Sequence, residues 1–308
     1  MQAIQGRNVR IIPSLVPGQF KPLLPGSDEG SFEPLPLAPP RVFAMGLSYA
    51  AHCIETGEPP LQSVFEKGCT PRAGPGTLAT PDAAALFGAL AALDRPLAEW
   101  MRDRGLLAVP LLDYEVELGL ALLADVQRSQ LADRGFAPPL GFFVANDVTA
   151  RTVQVCGEGT DNRMDYWAAA KSLPGFLPVS PAMWVPAAPV VDGLMAARLE
   201  TRVGDSVRQS GLTLGLMWTP REMLARLCDH FGFERLARGT WLLTGTPAGV
   251  AMNVTARQRR VVAQLPRRWA IHLAISANRR KAAFLRPGAR VSCGVQGQPL
   301  LTVETLIS

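Results

Sequence analysis

In the segment Asp113-Tyr114-Glu115-Val116-Glu117, three carboxylates alternate with side chains of a different kind. In a strand, residues two apart project from one face, so Asp113, Glu115 and Glu117 would crowd together. At a spacing of ~7 Å and an effective dielectric of about 20, each like-charge pair costs about 2 kcal/mol if all stay ionised. A cation is therefore expected on that face. Oxygen-only ligands suit a hard ion, Mg²⁺, Mn²⁺ or Ca²⁺, whereas zinc calls for His or Cys, and the neighbouring sequence has neither. The ordinary alternative is a solvated acidic edge of a sheet. In GFFVANDVTARTVQ a strand is expected to end at Asn146-Asp147, with a helix following through Val148 to Val155. That places Asp147 where a third oxygen ligand could reach a neighbouring strand. The competing role is a helix cap paired with Arg151 four residues on.

A second constellation lies in GLSYAAHCIETGEPP, where His52 and Glu55 are three apart. On a helix they share a face, and the carboxylate would orient the imidazole and raise its basicity, giving a general-base dyad. An isolated HxxE is more often structural. The other two histidines, His230 and His272, are expected to be structural or on the surface.

The elements that must position these groups are strand-rich. The 28 glycines and 27 prolines are spread along the chain, which implies many turns and excludes an all-helical bundle. Residues 1–40 form a small proline-rich N-terminal region with a strand at Val9 to Ile12, ending in PLPLAPP before the strand RVFAMGL. From Thr80, TPDAAALFGALAALDRPLAEWMRDRG predicts one or two helices starting near Asp82 and interrupted near Pro96. LLDYEVELGLALLA and GFFVAN follow as strands, then an irregular stretch containing Trp167 and Lys171. TPREMLARLCDHFGF is a well-signalled helix, with Thr219 as cap, Pro220 in the first turn and Glu222 closing a capping box. WLLTGTPAGV is a strand running into a turn, and RVSCGVQGQPLLTVETLI two strands around Gln296-Gly297.

A chain of 308 residues, 48% of them apolar, can bury a sizeable core. The start has no signal-peptide pattern and no apolar run of membrane-spanning length occurs, so a cytoplasmic protein without membrane contact is expected. Five cysteines form no CxxC pair and imply structural thiols. Charge is uneven: residues 1–234 hold 19 Lys+Arg against 25 Asp+Glu, a balance of −6, while residues 235–308 hold 12 basic residues and one acid, Glu304, a balance of +11. Few aromatics interleave those arginines, so no specific nucleic-acid partner is expected. A surface that steers an anionic substrate fits better.

Five ordered blocks resemble the fumarylacetoacetate hydrolase family: GLSYAAHCIETGEPP with VFEK, DYEVELGLAL, GFFVANDVTARTVQ, AAKSLPGFLPVSP and LLTGTPAGV. The resemblance spans about residues 41–308 and is closest to the acylpyruvase and 2-oxo-hept-3-ene-1,7-dioate isomerase branch. It implies a mainly β protein with a few helices, an α+β mixed β-roll, and a homodimer. It places Glu115, Glu117 and Asp147 at metal-ligand positions, with Asp113 a flanking residue, and makes His52 and Glu55 the water-activating pair. Lys171 then stands beside the substrate oxygens, Arg151, Gln154 and Lys67 line the pocket, and Thr246 meets a substrate carboxylate. The implied activity is divalent-metal-dependent hydrolysis of a C–C bond in a small 1,3-dicarbonyl acid. On the same scaffold, oxaloacetate-type decarboxylation, hydration of a 2-oxo-enoate and keto-enol isomerisation are the alternatives, and a metal-free binding or assembly protein is the non-enzymatic one. Ser48, Thr149, Gly204-Asp205 and Ala289 depart from the family pattern. So do a helical insertion near residues 82–107, which could cap the pocket, and a basic extension near residues 252–284, which could form a lid, a dimer contact or a steering surface.

Overall fold

The computed structural model describes residues 18–25, 29–60, 64–252, 262 and 264–308. The strand expected at Val9 to Ile12, and residues 253–261 and 263 of the basic extension, lie outside the described residues. The architecture is mixed α+β, as the sequence implied.

Its centre is a mixed sheet in which seven strands follow one another in the order Gly30–Pro34, Ala182–Pro186, Leu140–Asn146, Val116–Leu122, Trp241–Leu243, Val42–Met45 and Val64–Glu66. Val116–Leu122 and Leu140–Asn146 are buried at every position and pair antiparallel over seven residues, from Leu140 opposite Leu122 to Asn146 opposite Val116. Such continuous apolar runs belong to strands covered on both faces. The solvated acidic edge is thereby excluded, because Glu117 sits mid-sheet opposite Ala145. A second sheet, five strands in the order Ser206–Leu212, Arg198–Val203, Arg290–Val295, Gln298–Ile307 and Gly76–Leu78, packs beside it, and one apolar core joins the two.

Three local expectations change. LLDYEVELGLALLA is not one strand: Leu112–Asp113 pairs with Thr149–Ala150, the chain breaks at Tyr114-Glu115, and Val116–Leu122 begins afresh. Asp113 therefore leaves the face shared by Glu115 and Glu117. The helix after Asp147 starts only at Arg151, so Asp147 caps nothing. The stretch with Trp167 and Lys171 is a regular helix, Arg163–Lys171. Within the basic extension, Arg267–Asn278 is a helix with Ile271 and Ile275 turned inward.

The insertion forms the helix Ala83–Asp103, capped by Asp82, whose side chain accepts the Ala85 N–H. Pro96 has no N–H to offer the preceding turn, and the chain kinks at Asp94 (φ −149°, ψ 81°), whose carboxylate caps the second segment through the Leu97 N–H. Leu86, Leu90, Leu97 and Met101 are buried. The Asp94 carboxylate receives Tyr166 Oη at 3.4 Å and Arg267 at 3.0 Å, binding the insertion and the basic helix to the back of the Lys171 helix. The Thr219–Glu222 capping box and the Gln296-Gly297 turn stand as read. All five cysteines are buried and free. Among the described residues, no helix is long and apolar enough to cross a membrane.

Candidate functional site

Glu115, Glu117 and Asp147 converge although they come from two strand ends. Glu117 lies in the central strand, Glu115 just before it, and Asp147 just after its antiparallel neighbour. The Asp147 N–H donates to the Glu115 carbonyl at 2.8 Å, and Asn146 Oδ1 accepts the Glu115 N–H at 3.1 Å. One carboxylate oxygen from each acid then lies within 4.8 Å of the others, all three residues being buried.

Three cations surround this cluster. Lys171 Nζ donates to Glu115 Oε2 at 2.7 Å and to Asp147 Oδ2 at 2.6 Å. Lys67 Nζ donates to Asp147 Oδ1 and to the Lys171 carbonyl. Arg151 donates to Glu115 at 2.5 Å, to Gln154 Oε1 at 2.5 Å and to Asp113 at 2.8 Å, so the Arg151–Asp147 pair considered from spacing does not form. Burial alone would push the Asp147 carboxyl up, but Lys171 and Lys67 outweigh it and hold it below the ordinary aspartate range. No lysine donates a hydrogen bond to Glu117 among the described residues. Burial first, then Asp147, raises its carboxyl well above the usual glutamate range, while the nearby Lys171 charge and the Gly245 N–H at 2.7 Å oppose this.

That imbalance tests the fit of a metal. Four buried carboxylates, with Asp113, face three buried cations, which leaves one negative charge in excess when all are ionised. A divalent ion bound by Glu115, Glu117 and Asp147 reverses the sign and makes the site a receiver for an anion. The all-oxygen donor set fits a hard divalent cation.

His52 lies on the short helix Ala50–Thr56, as expected, with Nδ1 3.0 Å from Glu55 Oε2. An ionised carboxylate only accepts, so Nδ1–H donates and Nε2 is the free nitrogen. Glu55 in turn receives the Gly249 N–H at 3.1 and 3.2 Å on its two oxygens. Gly249 has φ 110°, and a Cβ there would come within 2.4 Å of the Arg208 carbonyl, so this amide can be delivered only by glycine.

The turn after Leu243 proves to be a receiver of acidic side chains. Its amides at Gly245, Gly249, Ala251 and Met252 bind Glu117, Glu55 and, for the last two, Asp113. The Thr246 hydroxyl donates to the Val116 carbonyl at 3.0 Å and accepts Gln209 Nε2 at 2.8 Å. Its proton is committed, so contact of Thr246 with a ligand falls to its backbone or to its remaining lone pair. Spacing gave no hint of Gln209. This buried residue links Val116, Thr201, Thr246 and Pro247 through both ends of its amide. Asp113 is likewise more than a flanking residue, since its carboxylate takes Arg151 and three backbone amides.

A cavity with about 30 Å³ open to the centres of water molecules joins these groups. Its walls bring together His52, Glu115, Glu117, Asp147, Arg151, Lys171 and Thr246, with Trp167 and Phe65 as apolar surfaces. Gln154, Glu55 and Lys67 lie behind the wall, hydrogen-bonded to its residues Arg151, His52 and Asp147 respectively. No residue of the insertion or of the described part of the basic extension lines it. The insertion buttresses the Lys171 helix from behind instead of capping the pocket.

Several known proteins resemble this chain. The bovine mitochondrial "Oxaloacetate tautomerase FAHD2A" is 26% identical over 235 residues, 75% of this chain and 63% of its own length. The "Oxaloacetate tautomerase YisK" of Bacillus subtilis is 28% identical over 144 residues, 47% of this chain and 44% of its own length. The chain thus spans less than two thirds of the length of these relatives. The solved structure of "Fumarylacetoacetate hydrolase (EaFAH)" from Exiguobacterium antarcticum shares the fold at a TM-score of 0.51, with 20% identity, covering 88% of this chain and 76% of the other. The family model "Fumarylacetoacetate (FAA) hydrolase C-terminal" matches residues 41–305, which contain every residue of the site, and the chain belongs to that family.

Proposed function

We propose that this protein catalyses divalent-metal-dependent enolisation of a small 2-oxo acid, with keto-enol isomerisation of an oxaloacetate-like acid as its reaction. The observation that carries this reading is the single small cavity into which His52, Lys171 and the three carboxylates all open. The names of the curated relatives, oxaloacetate tautomerases, support the same substrate class. Glu115, Glu117 and Asp147 hold the ion, Mg²⁺ or Mn²⁺ suiting them best, and Ca²⁺ also being a hard ion. Such an ion supplies Lewis-acid polarisation of the 2-oxo group.

The chain's own groups do the rest. His52 Nε2 takes a proton from the carbon next to the carbonyl, while Glu55 stabilises the imidazolium through Nδ1–H. Negative charge then develops on the carbonyl oxygen, where the Lys171 ammonium offers a donor. Burial alone would lower the Lys171 pKa, but Asp147 and Glu115 outweigh it and raise the pKa, so Lys171 stays charged. The proton returns from His52 to the enolate oxygen, giving the enol, and the reverse path consumes nothing. Phe65 and Trp167 keep the cavity walls apolar.

A second reading, C–C hydrolysis of an acylpyruvate, is supported by the His52–Glu55 pair, because the same base could take a proton from water. The assay follows loss of enol absorbance from freshly dissolved oxaloacetate, and of diketone absorbance from an acylpyruvate. Both are run with Mg²⁺ or Mn²⁺ and after stripping with EDTA. His52→Ala should slow the active reaction by about 10²–10⁴-fold. Metal-independent rates, or a His52→Ala variant within about threefold of wild type, would sink the scheme.

A further inference from the structure

The helix Arg267–Asn278 buries one side and carries large apolar residues on the other. Ile271 and Ile275, four apart, face the core. Trp269 and Leu273, also four apart, point the opposite way and stand 68% and 45% exposed. Leu265, just before the helix, is 37% exposed. The helix is not free to turn this face inward, because Arg267 is tied to Asp94 at 3.0 Å, to the Tyr166 hydroxyl at 2.8 Å and to the Cys156 carbonyl at 2.9 Å. Apolar side chains this exposed and this close together mark a contact surface.

The charges beside that face say what it meets. Arg268 sits in the first turn, where the helix dipole disfavours a cation, and it forms no ion pair among the described residues. Its guanidinium lies 5.5 Å from the centroid of the Trp100 ring, and that of Arg104 lies 4.7 Å from the same ring. Arg104 likewise has no acidic partner among the described residues, whereas Glu99 and Asp103 are paired with Arg95 and Arg102. Arg279, Arg280 and Lys281, all exposed, continue the basic run past the helix end, and the one acid in residues 235–308, Glu304, lies in the strand Gln298–Ile307. The complement of this patch is an anionic surface. A second copy would set the same cations against themselves, since a twofold contact pairs like with like. A nucleic acid supplies phosphates but no apolar layer for Leu265 and Leu273, and the Trp100 ring is already covered by guanidiniums. An anionic bilayer matches both the cations and the apolar row.

We propose that the outer face of the helix Arg267–Asn278 docks on an anionic phospholipid surface: Trp269 and Leu273 enter the boundary between headgroups and acyl chains, while Arg104 and Arg268 pair with headgroup phosphates. The contact is peripheral, because no helix among the described residues is long and apolar enough to cross a membrane. It is also separate from the reading of the cavity, since no residue of this face lines it.

The probe is vesicles of phosphatidylcholine, alone or with a third of phosphatidylglycerol, and the readout is cosedimentation. Wild-type protein should partition onto the anionic vesicles at least about tenfold more strongly than onto the neutral ones, and moderate salt should lower that partition. Arg104→Gln combined with Arg268→Gln should weaken it about thirtyfold, a factor of about five per charge. Trp269→Ser should weaken it about tenfold, whereas Trp269→Phe, which stays apolar, should bind nearly as well. With brominated lipid, the tryptophan fluorescence of wild-type protein should be quenched on binding, and Trp269→Phe should lose most of that quenching while still bound. The wild-type quenching decides even if a substituted chain fails to fold. Equal partition onto neutral and anionic vesicles, or anionic binding without quenching, overturns the proposal. So does an oligonucleotide complex, or a dimer in sedimentation, that is lost in Trp269→Ser while anionic vesicles bind no protein.

Discussion

Asp113 offers a sharp test of how the site is held. Its carboxylate is fully buried and accepts four donors, Oδ1 from the Tyr114 and Ala251 amides at 2.8 Å each, Oδ2 from Arg151 Nε at 2.8 Å and the Met252 amide at 3.1 Å. Asp113→Asn keeps the shape and replaces one oxygen by an NH₂ group. Whichever way that amide faces, two donors then meet a donor. Each hydrogen bond to a charged acceptor contributes about 1.5–3 kcal/mol, so losing two, with Arg151 left leaning on Glu115 alone, costs roughly 3–5 kcal/mol of folding stability. In a chain of this size that corresponds to a fall in melting temperature of roughly 6–15 °C. Urea unfolding of the metal-free protein, followed by tryptophan fluorescence, reads the loss directly. Because Arg151 and Glu115 share the displaced charge, Mn²⁺ affinity should fall as well. A loss below about 1 kcal/mol with unchanged Mn²⁺ binding would refute the reasoning and return Asp113 to a flanking role.

Two further outcomes follow from the site. The Glu117 carboxyl is raised above its ordinary range by burial and by Asp147, so the folded metal-free protein favours the protonated form. Stability then falls as pH rises from the ordinary glutamate range through the raised value, and a cation must displace that proton. Mn²⁺ affinity should therefore climb with pH across this window with proton release, seen by calorimetry in buffers of different ionisation heat; a pH-independent affinity contradicts it. Gln209→Leu removes the acceptor of the Val116 amide and Thr201 hydroxyl and the donor to Thr246. Urea unfolding should register a loss of about 2–4 kcal/mol, and a neutral effect would remove Gln209 from the scaffold of the turn.

The sequence made much of this legible, for specific reasons. The Thr219–Glu222 box, the Asp82 start and the Gln296-Gly297 turn are local chemistry, set within a few residues. Glu115 and Glu117 could be paired with Asp147 because both strands are apolar runs of fixed length, and their register brings the ends together. His52 and Glu55 needed only one helical turn. What escaped depends on long-range closure. Nothing near Asp113 announces that its partners are Ala251 and Met252, and Gln209 sits in an unremarkable polar strand. The Lys171 helix was hidden because its two buried aromatics, Tyr166 and Trp167, are adjacent and give no helical period.

The turn after Leu243 also fixes when the site can exist. Gly245 reaches Glu117 across 128 residues, Ala251 reaches Asp113 across 138, and Gly249 reaches Glu55 across 194. During synthesis, a chain that has emerged as far as Lys171 already carries the carboxylates, the imidazole and both lysines, yet none of the amides that seat Glu117, Glu55 and Asp113. Contacts at such separations form late, after the entropy of closing long loops has been met. In the proposed reading, a chain that has emerged only as far as Lys171 therefore lacks a finished ion site, because the amides that seat Glu117, Glu55 and Asp113 all lie within residues 245–252.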